Sequence, residues 1–248
     1  MGGPMTPSTE PGRGELAALV SAALLSYPLG LAVGSPWLLP ILNTAPAYVV
    51  LVRRLGRGDR AGAVAAMLLW AAALAVGGTV AFASWPSPVD GLVLNGPAYR
   101  DEMLRWIRTG EGRESSLALF LPQHLLHLGA FVALCLATAS TLGILFGAVL
   151  MNFMAFYVAS LARAGVPAWA VVLLGWQPWA LCRVAAFCLL GVVLAEPLLR
   201  RLASFRSRVP TGSPRRYLLA AGAGIVADFV LKAALAPTWG TLLRGLLP

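Results

Sequence analysis

The sequence predicts an all-α integral membrane protein, a polytopic bundle of about seven transmembrane helices. Three observations carry this. No Asp, Glu, Lys or Arg interrupts residues 16–52, 61–89 or 117–162, and a bilayer needs only about 20 apolar residues per spanning helix. Hydrophobic residues make up 58% of the chain and charged ones 12%, leaving little material for a soluble domain. The arginines gather just beyond the apolar runs, as the positive-inside rule requires.

The elements follow in order. Residues 1–15 are polar and rich in Gly and Pro, which predicts a disordered tail before a single transmembrane domain over 16–248. The first uncharged run is too long for one helix, and Gly34-Ser35-Pro36 breaks it, giving spans near 16–34 and 36–52. The second carries Pro40, Asn43, Thr44 and Pro46. Each proline removes a backbone donor, so this span is expected to be kinked or broken. Arg53, Arg54, Arg57 and Arg60 then mark a cytoplasmic turn, and a third span near 62–84 ends at the interfacial Trp85.

Residues 86–116 form a nearly neutral polar loop on the opposite, outer side. Within it Tyr99, Met103, Trp106 and Ile107 recur at helical spacing, with Asn95 or Gly96 as cap and Pro97 in the first turn. This predicts a short amphipathic helix on the membrane surface or in the mouth of the bundle. The run from 117 holds two spans, near 117–138 and 142–162, and the Gly143/Gly147 spacing permits close helix packing there. Residues 166–182 are apolar but contain Pro167, Trp169, Trp176, Gln177, Pro178 and Trp179. An even number of crossings must separate the two Arg-rich segments, so 166–182 reads as re-entrant or interfacial. Spans near 183–199 and 217–239 flank the second Arg-rich segment, Arg200 to Arg216.

The formal charge of +9 is therefore a topology signal and gives no indication of nucleic-acid binding. It places the N-terminus in the cytoplasm. The wealth of Arg, Ala, Gly and Leu is that of a GC-rich bacterial genome, hence a bacterial cytoplasmic membrane. The partners implied are the lipid bilayer and other membrane proteins or further copies of the chain. Cys135, Cys182 and Cys188 all lie in apolar segments and read as small hydrophobes.

Two constellations carry chemistry. His124 and His127 are three residues apart, so they share a helix face. Pro122 fits a helix's first turn, which brings both rings close to the acidic loop. With Glu114 or Glu102 folded over them, they would form a donor set for Zn²⁺ or another divalent metal. Asp228 and Lys232 stand one turn apart inside the last span, where charges are costly and usually face the bundle. They are expected either to neutralise each other or to form an ion or proton site. The two proline-interrupted segments resemble the broken helices of transporters, with Asn43 and Gln177 as their polar groups. Arg183 and Glu196 lie near helix ends, where they can snorkel, and Glu196 can pair with Arg200.

The Phe120-Leu-Pro-Gln-His124 run is similar to the Phe-x-x-x-His element of CAAX-type intramembrane proteases. That family's paired-Glu motif and second downstream histidine are absent, so its activity does not carry over. Residues 129–162, ending near Asn152, resemble the stage II sporulation protein M-like membrane family, but without the Asn-Gly expected there. Three function classes remain. Small-solute or ion transport, or an accessory permease role, leads. A membrane-embedded metal-dependent enzyme and a structural partner of a membrane complex are the alternatives.

Overall fold

A computed structural model describes residues 12–202 and 209–247. It forms a helical bundle with seven helices of membrane-spanning length and composition: α1 (Arg13–Val33), α2 (Leu38–Leu55), α3 (Arg60–Ser84), α5 (Leu117–Thr138), α6 (Thr141–Arg163), α8 (Pro178–Arg201) and α9 (Arg215–Arg244). Two short helices, α4 (Gly96–Thr109) and α7 (Ala168–Leu174), lie in the connections. The expected polytopic bundle is therefore present, with α7 and the Gly175–Gln177 break as its non-spanning segment.

Several expected boundaries shift. Residues 1–11 lie outside the described residues, but Arg13 to Glu15 belong to α1 and are not part of a tail. Glu15 accepts from the buried Arg54 at 2.7 Å, which ties the start of α1 to the end of α2. α2 runs on as one helix through Pro46, which lies inside it; Pro40 falls in its first turn, and Thr44 Oγ1 donates to the Pro40 carbonyl at 2.7 Å. α8 begins at Pro178, a first-turn proline, and α9 runs on to Arg244. Pro122 lies inside α5, beyond its first turn.

Both Arg-rich segments meet at one end of the bundle. Arg60 grips Glu196 with two hydrogen bonds of 2.5 and 2.8 Å and donates to the Gly212 carbonyl at 2.9 Å. Arg200 completes the Glu196 contact at 2.9 Å. Arg206 and Arg208 fall outside the described residues. At the other end Arg163 donates to the carbonyls of Ala83 and Trp85. The core is tight enough that Gly78 faces Tyr27 and Ala155, where an added Cβ would come within 2.9 Å of the Ala155 methyl. At Gly143 a Cβ would overlap the Cys135 sulfur, so the first glycine of the GxxxG pair does allow α5 and α6 to pack closely.

A polar network crosses this core. Asn152 Nδ2 donates to Asn43 Oδ1 at 2.8 Å, Asn43 Nδ2 to Ser26 at 2.6 Å, and Tyr27 to Asn152 Oδ1 at 2.9 Å. Trp70 adds a bond to the Asn43 carbonyl at 2.9 Å. Every member has a partner, so the network binds α1, α2, α3 and α6 together without leaving a stranded polar atom.

The amphipathic α4 sits in the mouth of the bundle. Met103, Trp106 and Ile107 are buried against α6 and α9. Trp106 packs on Gly240, and Arg244 Nε donates to the Ile107 carbonyl at 2.7 Å. Tyr99 reaches Met154 Sδ at 3.2 Å, and its ring stacks on Phe153 at 4.6 Å. Burial raises the Tyr99 hydroxyl above its ordinary pKa, so it stays protonated. A roof over the loop end of the bundle results.

Candidate functional site

Beneath α4 lies a cavity of about 250 Å³ between α3, α5, α6 and α8. Its polar lining comes from four directions. Asn95, Tyr99 and Glu102 hang from α4 and the turn before it; Arg113 and Glu114 come from the loop; Gln123, His124 and His127 from α5; Arg183 from α8. Arg113 is half exposed and lines the cavity, so the cavity reaches the surface at the loop end.

The charges are wired in pairs. Arg183 holds Asp228 with two bonds, Nε to Oδ2 and Nη2 to Oδ1, both 2.9 Å, the fork geometry that makes Arg–carboxylate pairs strong. Asp228 is fully buried, and Arg183 is 26% exposed. Arg183 lies roughly 20 Å along α8 from Glu196 at 1.5 Å per residue, within a helix long and apolar enough to cross a membrane. Lys232 Nζ is 2.8 Å from Glu114 Oε1 and 3.3 Å from the centre of the Phe120 ring. The contact is an ion pair backed by a cation–π contact. Arg113 stands 3.2 Å from Glu102 and donates to Gln123 at 2.6 Å.

Asp228 and Lys232 thus do not neutralise each other. Their spacing puts them on one stripe of α9, but each is taken by a partner from another element, Arg183 and Glu114. Arg183, read from the sequence as a snorkelling residue, is instead the central cation of the site. The only sequence signal for it was a cation five residues past a helix-starting proline.

His124 is 2% exposed. Its Nδ1 lies 3.4 Å from Asp228 Oδ2, while Nε2 is buried with no hydrogen-bond partner. A carboxylate facing Nδ1 favours the tautomer with its proton there, which leaves the Nε2 lone pair free. The ring is held by Phe120 and Phe229 at 5.0 and 4.7 Å. His127 also lines the cavity and packs on Phe146 at 5.7 Å.

The structure therefore brings His124, His127, Glu102 and Glu114 to one cavity. It does not bring them to one point: among the described residues no three His, Cys, Asp or Glu side chains are close enough to share a metal ion. Asn43 and Gln177 do not line the cavity. Asn43 belongs to the core network, and Gln177, buried at the start of α8, donates to the Tyr157 hydroxyl at 3.5 Å. Cys135 and Cys188 are buried and unbridged, and Cys182 is half-buried.

The deeper part of the cavity is apolar. Met67, Phe131, Ile144, Phe187 and Cys188 line it, and Gly147 and Gly191 leave its wall low. The site is thus polar under α4 and hydrocarbon-like towards the Arg-rich end. No family model matches this chain, and neither the curated proteins nor the solved structures contain a match.

Proposed function

We propose that this chain is a carrier or accessory permease of a bacterial cytoplasmic membrane, with the cavity beneath α4 as its solute site. One observation carries the reading. Arg183 of α8, His124 of α5 and Glu114 of the loop line one cavity inside the span region, and Asp228 and Lys232 of α9 pair with Arg183 and Glu114 from behind its wall. Intramembrane ionisable groups that face a cavity typically mark a solute or ion path. The Arg-rich end faces the cytoplasm by the positive-inside rule, so α4 roofs the site from the outer side. Arg183–Asp228 and Lys232–Glu114 tie α9 to α8 and to the loop, and a solute that competes for either pair would couple binding to helix movement.

The test is uptake by proteoliposomes offered a mixed pool of small metabolites, with the lumen assayed by mass spectrometry. Accumulation of one solute class, lost in Arg183→Met, supports the carrier. No uptake by a folded protein contradicts it.

A second reading has its own support. The free Nε2 of His124, backed by Asp228, is arranged as a general base, which suits a membrane-embedded enzyme. Glu102 and Glu114 are each occupied by a cation, so a divalent metal at His124, His127, Glu102 and Glu114 would have to displace Arg113 and Lys232. Metal analysis of purified protein decides this point. A stoichiometric metal lost in His124→Ala would favour the enzyme. A structural partner role in a membrane complex needs no cavity, and the charged lining gives it no support.

A further inference from the structure

We infer that the ligand of this cavity is a single-chain amphiphile with a net-neutral polar head, the head under α4 and the chain between α5, α6 and α8. This rests on the carrier reading and names the class of its solute. Two observations point to it.

The first is segregation. The charged and hydrogen-bonding groups lie at the roofed end, and the deep end offers Met67, Phe131, Ile144 and Phe187. A wholly polar solute filling the cavity would leave its polar atoms unpaired at that deep end, which is costly. A hydrocarbon chain loses nothing there, because the bilayer it leaves is equally apolar. Gly147 and Gly191 make room for it. A Cβ at Gly147 would come only within 3.9 Å of Phe131, and one at Gly191 within 3.5 Å, both ordinary contacts.

The second is charge balance. Arg113 pairs with Glu102, Arg183 with Asp228 and Lys232 with Glu114, so the cations and anions at the head region balance. With His124 and His127 neutral, the site has no net charge to offer an ionic head. It does offer both senses of hydrogen bond: the guanidinium edge of Arg183 not used by Asp228 donates, and His124 Nε2, buried and unpartnered, accepts. A hydroxyl-bearing head satisfies both at once. Its O–H donates to Nε2 and its oxygen accepts from Arg183.

The experiment uses the full chain in nanodiscs and reads quenching of Trp70 and Trp176, which line the cavity, by tail-brominated probes. Four heads on the same long chain are compared: glycerol ester, zwitterionic lysophospholipid, fatty acid and alkylamine. Trp70→Phe and Trp176→Phe variants identify the cavity signal. The net-neutral heads should bind about tenfold tighter than the two ionic ones. Glu114→Gln leaves Lys232 uncancelled and should move the preference about tenfold towards the fatty acid. Gly147→Leu fills the deep end, and should weaken long-chain binding about tenfold while sparing a short-chain glycerol ester. Tightest binding by an ionic head, or long-chain binding unchanged in Gly147→Leu, overturns the inference. Uptake of a chainless solute without amphiphile binding overturns it while leaving the carrier reading standing. Amphiphile binding without transfer to the lumen leaves the inference standing and overturns the carrier.

Discussion

Replacing Arg183 with Met isolates the central ion pair. The change keeps an unbranched apolar stem and removes the guanidinium. Among the described residues, Asp228, fully buried, then keeps His124 Nδ1 at 3.4 Å as its one salt-bridge-range partner. Two charge-assisted bonds of 2.9 Å disappear, and Arg183 also loses its place 5.0 Å over the Phe120 ring. Breaking a buried pair from one side costs about 3–5 kcal/mol, because the remaining charge is stranded. For soluble chains of this size each kcal/mol shifts Tm by about 2–4 °C, so Arg183→Met should lower the melting temperature by roughly 6–20 °C. The double variant Arg183→Met/Asp228→Leu removes both charges and should recover most of that loss, since apolar replacements of buried pairs are often neutral or stabilising. Thermal denaturation in nanodiscs, followed by tryptophan fluorescence, measures all three proteins. Wild-type stability in the single variant, or a double variant as unstable as the single, would refute the reasoning.

At the Arg-rich end, Glu196→Ala strands the buried Arg60 and should destabilise by about 3–5 kcal/mol, against under 1 kcal/mol for Arg200→Ala, whose side chain is 42% exposed; chemical denaturation separates them. Asn152→Ala removes one of the two acceptors facing the Tyr27 hydroxyl, the other being the Leu74 carbonyl, and the donor to Asn43, with an expected loss of about 1–3 kcal/mol in a melting experiment. Gly78→Val would force a Cβ against Ala155 and the Tyr27 hydroxyl, and should cost about 1–3 kcal/mol. At Gly129, by contrast, a Cβ meets nothing within 4 Å, so Gly129→Ala should be neutral or stabilise by about 0.5–1 kcal/mol. Equal melting temperatures for the two glycine variants would contradict the packing described.

The spans were legible because hydropathy and charge are local properties. A run such as 61–89 leaves a helix no alternative in a membrane, and the spacing of Met103, Trp106 and Ile107 marks the buried face of α4 before any partner is known. What was not legible is who meets whom. The i,i+4 spacing of Asp228 and Lys232 correctly puts them on one stripe, yet their partners lie on α8 and in the loop, far along the chain. Arg183 looked like an interfacial cation because α8 was expected to start at that residue, whereas Pro178 starts it a turn earlier and carries Arg183 into the bundle. Asn43 looked like a substrate ligand in a broken helix. α2 instead runs whole through Pro46, with Pro40 in its first turn, and Asn152 claims the Asn43 side chain for the core. The convergence of His124 and Glu114 on one cavity followed from the loop's return at Leu117, but the cations that hold each acid could not be read from spacing.

The central claim is that a charged cavity inside the span region opens at the α4 end, opposite the Arg-rich end. In a background with Cys135, Cys182 and Cys188 replaced by Ala, Gln123→Cys places a thiol on the cavity wall and Arg57→Cys places one in the Arg-rich turn. A membrane-impermeant thiol reagent is applied to bacterial spheroplasts and to inverted vesicles expressing each variant. Gln123→Cys should react in spheroplasts and be protected in inverted vesicles, and Arg57→Cys should do the reverse. Reaction of both thiols from the same face would contradict the bundle described here.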